Sequence, residues 1–301
     1  MWRPRSGIIT TKDFGTQERE VNVPIAYLNG EWLPVEEAKI SVLDRGFLFG
    51  DGVYEVIPVY NGKPFCLDRH VARLNASLTE IRLAEAVADV DWVELLQESV
   101  DKSGEGMAAI YIQVTRGADS VRNFVYPTDP TPTIFIMVNP APQLGHREIK
   151  PLQLVTLEDF RWDRGHIKTI SLIAAGMLKN EAIAAGANDA VLVKNGEVTE
   201  ATSSNLFAVI GGVIVTPPKS TRLLHGITRD VVVELAKANG LPIEERVLLP
   251  EELAIADEIF ISSSTMETWP VDRLDGKTIG NGEPGLVWQK VDALFQAHKN
   301  L

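Results

Sequence analysis

The amino-acid sequence predicts an α+β fold in two domains, and three observations carry that expectation. Short apolar segments with strand alternation recur through both halves, several joined by Asn-Gly or Gly-Gly turns, which makes hairpins rather than crossovers. Helical periodicity is confined to a few segments set among runs of strand, not alternating strictly with them, so a doubly wound sheet is not expected. The 301 residues exceed the roughly 250–300 at which one core stops growing. A proline-rich, aperiodic stretch, "NPAPQLGHREIKP" at 139–151, reads as the linker between a smaller domain over 25–138 and a larger one over 152–301. Residues 1–24 are polar and irregular and read as an N-terminal arm.

Taken in order, "IAYLNGEWLP" reads as a hairpin about Asn29-Gly30 and "YEVIPVYNGKPFCL" as another about Asn61-Gly62. Asp68 is the expected N-cap of a helix whose apolar positions are Val71, Leu74, Leu78 and Ile81. A second helix, "DWVELLQESVDK", precedes two strands, "AAIYIQVTRG" and "TPTIFIMV". Past the linker come a strand at 152–156, a helix at about 171–185 and the hairpin "DAVLVKNGEVTE". A Gly-Gly hairpin follows, then a helix in "GITRDVVVELAKANG" with Gly240 as its C-cap. The strand "EIFISSST" and a helix near 286–298 complete the chain.

Composition excludes several functions. A net charge of −12, from 29 basic and 41 acidic residues, with no Lys/Arg-rich run, argues against a nucleic-acid surface. The lone cysteine, Cys66, has no internal disulfide partner and reads as a buried structural thiol in a reducing compartment. The five histidines lack metal-ligand spacing, so no metal site is expected. The basic N-terminal residues are not followed by an apolar run, as a signal peptide would require. The strongest apolar stretch, "ISLIAAGML", suits a buried helix and is too short to cross a membrane. A soluble, cytoplasmic protein is the expectation.

Chemistry concentrates in the second half. "EVTEATSSNLFAV" sets Glu200 before three hydroxyls and the amide of Asn205, just after a turn that Asn195-Gly196 already makes. Gly226 leads directly into a helix, so the Ile227 and Thr228 amides would form an anion site at its positive end. Serines 262–264 and Thr265 end a strand where donors can converge on a phosphate. Read alone, Thr228 is more simply a helix cap and the serines solvated loop groups. Lys168 precedes the apolar stretch; desolvation there would lower its pKa and free an amine for Schiff-base chemistry, while the plainer reading is a snorkelling lysine. Glu200 reads either as a solvated acid or as the partner of a pyridinium nitrogen.

Five segments, "SVLDRGFLFGDGVYEVIPVYNGKPFCLDRHVARL", "HIKTISLIAAGMLKNEA", "GEVTEATSSNLF", "LLHGITRDVV" and "EIFISSSTMETWPV", stand in the order and spacing of the fold-type IV (class IV) pyridoxal-phosphate aminotransferases. The first resembles the D-amino-acid (D-alanine) branch. The resemblance covers about residues 25–298 and implies the two-domain fold of that family, a homodimer whose neighbouring chain completes the site, and pyridoxal 5'-phosphate as cofactor. It implies that Lys168 carries the cofactor and shuttles the proton, that Glu200 faces the pyridine nitrogen, and that Arg73 binds the phosphate. Ile227, Thr228, Ser263 and Ser264 join Arg73, beside Gly226; Leu224 backs the ring; Ser203, Ser204 and Asn205 support the cofactor. Tyr54 and Arg122 match substrate-side residues, Arg122 on the α-carboxylate, with Thr265 nearby. Phe124 departs from a histidine often found two places after that arginine, and the loop "ADSV" is one residue longer than the commoner pattern; an altered carboxylate trap would loosen specificity or shift it toward bulkier or hydrophobic substrates. The implied reaction moves the amino group of a D-amino acid to a 2-oxo acid. Related readings are a branched-chain or (R)-amine transaminase and, in another reaction class, aminodeoxychorismate lyase; a catalytically silent scaffold of this fold is the reading from outside enzymology.

Overall fold

The computed structural model describes residues 25–145 and 147–299, so the arm expected over 1–24 lies outside the described residues, as does His146. The chain begins with β1 (Ile25–Leu28), β2 (Glu31–Pro34), α1 (Arg45–Phe49), β3 (Gly52–Tyr60), β4 (Lys63–Pro64), α2 (Leu67–Glu80) and α3 (Trp92–Ser103). It continues with β5 (Met107–Thr115), β6 (Thr133–Pro140), β7 (Leu152–Glu158), α4 (Ile173–Ala184), β8 (Asp189–Lys194), β9 (Glu197–Ala201), β10 (Asn205–Ile210) and β11 (Val213–Thr216). Then come α5 (Ile227–Ala238), β12 (Ile243–Glu245), α6 (Pro250–Leu253), β13 (Glu258–Ser263), β14 (Glu267–Leu274), β15 (Lys277–Thr278) and α7 (Leu286–Lys299). The mixed α+β fold is as the sequence indicates.

The strands form two sheets. Six antiparallel strands run β2-β1-β6-β5-β3-β4, and nine strands run β12-β11-β10-β13-β14-β7-β8-β9 with β15 beside β14. Among the described residues only β11–β12, β14–β7 and β7–β8 pair in parallel. The Asn-Gly turns behave as the sequence suggests: Asn29 and Gly30 lie at φ 51° and 101°, and Asn61 and Gly62 at 51° and 75°, the paired positive values a tight hairpin demands.

Each sheet buries an apolar face against helices. Val53, Ile57, Ile110 and Ile112 pack with Leu74 and Leu78 of α2 and Leu96 of α3. At about 1.5–3 kcal/mol for each fully buried large apolar side chain, these contacts fix α2 on β3. Phe207 and Phe260 stack at 4.7 Å and meet Val232 of α5 and Phe295 of α7. A buried polar knot joins the halves. Glu267 accepts hydrogen bonds from Tyr60 at 2.7 Å and Lys299 at 2.6 Å, and Arg147 pairs with it at 3.1 Å.

Three local expectations are corrected. Asp68 does not cap α2: Cys66 occupies the N-cap at φ 50°, without a side-chain cap bond, and Asp68 lies in the first turn near the helix's positive end. Cys66 itself is only half-buried. The stretch expected as a buried helix becomes α4, yet Ile173 is 81% exposed and Met177 57%. Only its opposite side, Leu178 and Ala182, reaches the core against β8. An apolar sequence reports that a face needs covering, not that the same chain covers it.

Candidate active site

Residues 167–170 are stitched to the start of β3. Thr169 bridges Val53, the Tyr54 amide donates to the Lys168 carbonyl at 2.9 Å, and the Ile170 amide donates to Gly52 at 3.1 Å. A Cβ on Gly52 would sit 2.7 Å from the Val114 carbonyl, so only glycine lets the strands approach this closely. The result places Lys168 Nζ 4.2 Å from the centre of the Tyr54 ring, with no side-chain acceptor among the described residues. Burial, then the Arg73 charge, lowers the amine to about 8, against the pull of Glu55 and Glu200. A fraction of the amine is therefore neutral near neutral pH.

Arg73 projects from α2 onto β3. Its Nε and Nη2 donate to Glu55 at 2.7 and 2.8 Å, and its Nη1 donates to the His225 carbonyl at 2.9 Å. Two of the five guanidinium N–H donors stay unspent. Glu55 is fully buried, with His70 Nδ1 at 2.8 Å from its other side. Burial alone would raise the Glu55 carboxyl, but the Arg73 charge and hydrogen bonds, with His70, hold it well below the usual range. Burial and the nearby Glu55 raise the Tyr54 phenol, which stays protonated.

Glu200 sits in β9, buried rather than solvated. Its Oε1 accepts from Arg161 at 2.8 Å; its Oε2 accepts from the Leu224 amide at 3.1 Å and from Asn205 at 3.3 Å. Asn205 also donates to the Leu224 carbonyl at 2.9 Å. Burial raises Glu200 to about 7, with Arg161 opposing. Between β9 and β10 the hydroxyl cluster divides. Thr202 donates to Asp189 at 2.6 Å, Ser203 is exposed, and the Ser204 hydroxyl is buried without a partner.

Gly226 is the N-cap of α5 and makes no side-chain cap bond, so the Ile227 and Thr228 amides of the first turn are left without intrahelical partners at the helix's positive end. The Arg73 bond to His225 brings the guanidinium beside them. Ser262, another buried hydroxyl without a partner, pairs in register with Asn205, which sets the turn of Ser263, Ser264 and Thr265 at the same end of the sheet. Ser263 accepts from the Met266 amide at 3.2 Å, and Thr265 is exposed.

Arg122 and Phe124 pack against Phe49 of α1. The Arg122 guanidinium stands 4.8 Å from the Phe49 ring and 5.5 Å from Phe124, with no acidic partner among the described residues. Sequence reasoning missed Glu55, His70, Asp159 and Arg161. A charge inside the apolar strand "GVYEVIPVY" was the available signal for Glu55; nothing local marks Arg161.

The two sheets bring together a half-buried lysine, an arginine fork, a helix N-terminus without a side-chain cap and a buried carboxylate. The chain belongs to the class IV amino-transferases, whose family model matches residues 52–274. It is 39% identical over 268 residues to the D-alanine aminotransferase of Bacillus licheniformis, covering 89% of this chain and 94% of that one. It is 36% identical to the D-alanine aminotransferase of Listeria monocytogenes, covering 89% and 93%. Among solved structures it resembles the branched-chain amino acid aminotransferase of Escherichia coli, with a TM-score of 0.82, 26% identity and coverage of 92% and 94%. It also resembles the T.th. branched-chain amino acid aminotransferase solved with pyridoxamine 5'-phosphate, with a TM-score of 0.81, 27% identity and coverage of 93% and 96%.

Proposed function

We propose that the protein is a pyridoxal-phosphate-dependent aminotransferase that moves the amino group of a D-amino acid, of the D-alanine type, to a 2-oxo acid such as pyruvate or 2-oxoglutarate. The observation that carries the reading is the Lys168 amine, set 4.2 Å over the Tyr54 ring without a side-chain acceptor among the described residues and lowered by burial and Arg73, with Glu200 opposing. The residues fit the cofactor. Arg73 keeps two donors, the Ile227 and Thr228 amides are open, and the Ser204 hydroxyl is buried without a partner. Arg73, Ile227, Thr228 and Ser264 would hold the phosphate, Glu200 the ring nitrogen, and Leu224, Ser203, Ser204, Asn205 and Ser263 the surroundings.

When bound, the cofactor supplies an aldehyde carbon for the amino group and a ring that withdraws electrons. Lys168, neutral above about pH 8, would take the proton from the substrate Cα and deliver it to that aldehyde carbon, and run the transfer in reverse for the 2-oxo acid. Glu200, ionised against a cationic ring, keeps the proton on that nitrogen. Tyr54 and Thr265 bound the substrate side, and Arg122 binds the α-carboxylate.

The ring contacts of Arg122 among the described residues are Phe49 and Phe124, in keeping with a homodimer in which its loop serves the neighbouring copy's site. No helix among the described residues is long and apolar enough to cross a membrane, in keeping with a cytoplasmic enzyme. Likeness to branched-chain aminotransferases supports a second reading, with L-branched-chain donors. Incubation with D-alanine, L-leucine or (R)-1-phenylethylamine, each with a 2-oxo acid, separates the readings. D-alanine should bleach the visible cofactor band and yield pyruvate with ping-pong kinetics; turnover of L-leucine alone would defeat the D-amino-acid assignment.

A further inference from the structure

Arg45 is the first residue of α1 and only 3% exposed, a burial that an arginine tolerates only with its charge fully engaged. The helix is pressed onto the end of β5: a Cβ on Gly46 would stand 2.3 Å from the Thr115 methyl group. Asp44 accepts from the Gly46 amide at 2.7 Å and from Thr115 and Thr133 at 3.0 and 2.7 Å. The Arg45 amide donates to Gly117 at 2.8 Å, and Asp44 bridges Ala118. Just there the chain leaves β5 for the loop that carries Arg122 and Phe124. At its base Gly117 has φ 82°, and a Cβ would collide with the Thr131 carbonyl.

The guanidinium of Arg45 reaches across this base into the loop. Its Nε donates to Asp51 at 2.8 Å; Nη1 donates to the carbonyls of Asn123 and, at 3.4 Å, Val125; Nη2 donates to that of Phe124 at 3.3 Å. Asp51 also receives Arg116 Nε at 2.8 Å and Nη2 at 3.1 Å. One carboxylate therefore faces two buried guanidinium groups. The second charge is answered by backbone carbonyls and by the Tyr126 ring, 3.6 Å from the Arg116 guanidinium. Three consecutive loop carbonyls and one loop aromatic thus belong to the solvation of two buried cations. Within its own chain, burial of the loop's apolar groups contributes little, because Phe124 is 75% and Val125 71% exposed.

We infer that Arg45 is a positioning residue for substrate recognition: by clasping the carbonyls of Asn123, Phe124 and Val125 it fixes the loop that presents Arg122 and Phe124. The inference rests on the proposed aminotransferase function for its kinetic consequence, though not for the anchoring itself. Opening the loop would strip carbonyl partners from a charge that stays buried, so the closed loop is favoured before substrate arrives.

The test compares the full-length holoenzyme with Arg45→Met, Arg45→Lys and Tyr126→Leu. Lysine keeps the charge without the planar fork. Hydrogen exchange of amides 119–130 should accelerate at least about tenfold in Arg45→Met, with β3 and α2 unchanged. Arg45→Lys and Tyr126→Leu should give the same change in smaller degree. KM for D-alanine should rise about tenfold with kcat within about threefold and the cofactor band retained, the signature of lost substrate positioning. If Arg45→Met does not fold, the two milder variants decide. Unchanged loop exchange in them, or a fall in kcat with loss of cofactor and no change in KM, overturns the inference. If the wild type does not turn over D-alanine, the functional reading fails, and loop exchange still decides the anchoring.

Discussion

Arg161 donates from Nη1 to Glu200 at 2.8 Å while its other edge clasps Asp159 at 2.9 and 2.8 Å. The carboxylate proposed to face the cofactor's ring nitrogen is thus held from behind by a cation that is itself held. Arg161 opposes the burial that raises Glu200 to about 7, so its loss moves the carboxyl further up and protonates it at neutral pH. A charge-assisted hydrogen bond is worth about 2 kcal/mol. Arg161→Met should therefore weaken cofactor binding about thirtyfold. Titration of the cofactor-free variant with pyridoxal phosphate measures it, and unaltered affinity would show that Glu200 needs no such support.

Glu55 stands in the same relation to Arg73. Both Glu55 oxygens accept from that fork, and His70 adds a third contact in a fully buried setting. Glu55→Gln keeps the shape and removes the charge, leaving the guanidinium buried without its counter-ion. Removing one partner of a buried pair costs about 3–5 kcal/mol. Denaturant unfolding of the variant should show a loss of that order, accompanied by weaker phosphate binding. A loss below about 1 kcal/mol, the range of exposed pairs, would mean that solvent already shares the charge.

The two perturbed groups at the centre act on stability in opposite pH windows. Glu200 is raised from 4.5 to about 7, so the stability it contributes is present below 4.5 and lost as pH climbs to about 7. Lys168 is lowered from 10.5 to about 8, so its contribution is present above 10.5 and lost as pH falls to about 8. Each shift corresponds to about 3 kcal/mol across its window. In the cofactor-free protein, the wild-type-minus-Glu200→Gln difference should slope downward through the acidic window. The difference against Lys168→Met should slope upward through the alkaline one. Flat difference curves would place both groups in water.

How much of this the sequence disclosed depends on distance along the chain. Lys168 and Glu200 stood out because each sits in a short run with its own signal, as does the Gly226 helix start, though those runs alone left a snorkelling lysine and a solvated acid open. Their partners were not: Arg161 meets Glu200 across 39 positions and Arg73 meets Glu55 across 18, and no local spacing encodes those pairings. The depressed Lys168 amine follows from burial over the Tyr54 ring and beside Arg73, not from the apolar stretch after it, where Leu172 and Ile173 are exposed. Hairpins came through intact, since an Asn-Gly turn fixes register within a few residues. What covers α4 did not, because that depends on something other than this chain's own core.

Gly226, the N-cap of α5, lies against Asn205 of the Glu200 cluster. A Cβ there would lie 2.0 Å from Asn205 Oδ1, so Gly226→Ala must push the carboxamide away from both Glu200 and the Leu224 carbonyl. Overpacking of this kind costs about 1–3 kcal/mol. The variant should unfold at lower urea and bind cofactor more weakly. Asn205→Ala in the same background should recover part of the stability, since it removes the clashing group. No recovery would locate the strain elsewhere in the α5 start.

Ile173 and Met177 lie one turn apart on α4 and face outward, while Leu178 and Ala182 take the inner side. An apolar strip exposed on the surface needs a cover, and the proposed homodimer provides one. Ile173→Lys with Met177→Lys buries a charge in that contact and should raise the dimer dissociation constant at least about a hundredfold. Sedimentation velocity across a dilution series reads the change directly. Activity should fall in step with dissociation if, as proposed, Arg122, whose ring contacts among the described residues are Phe49 and Phe124, serves a neighbouring copy's site. A double variant that stays dimeric puts the interface on another face. One that becomes monomeric yet keeps full activity shows that each chain completes its own site.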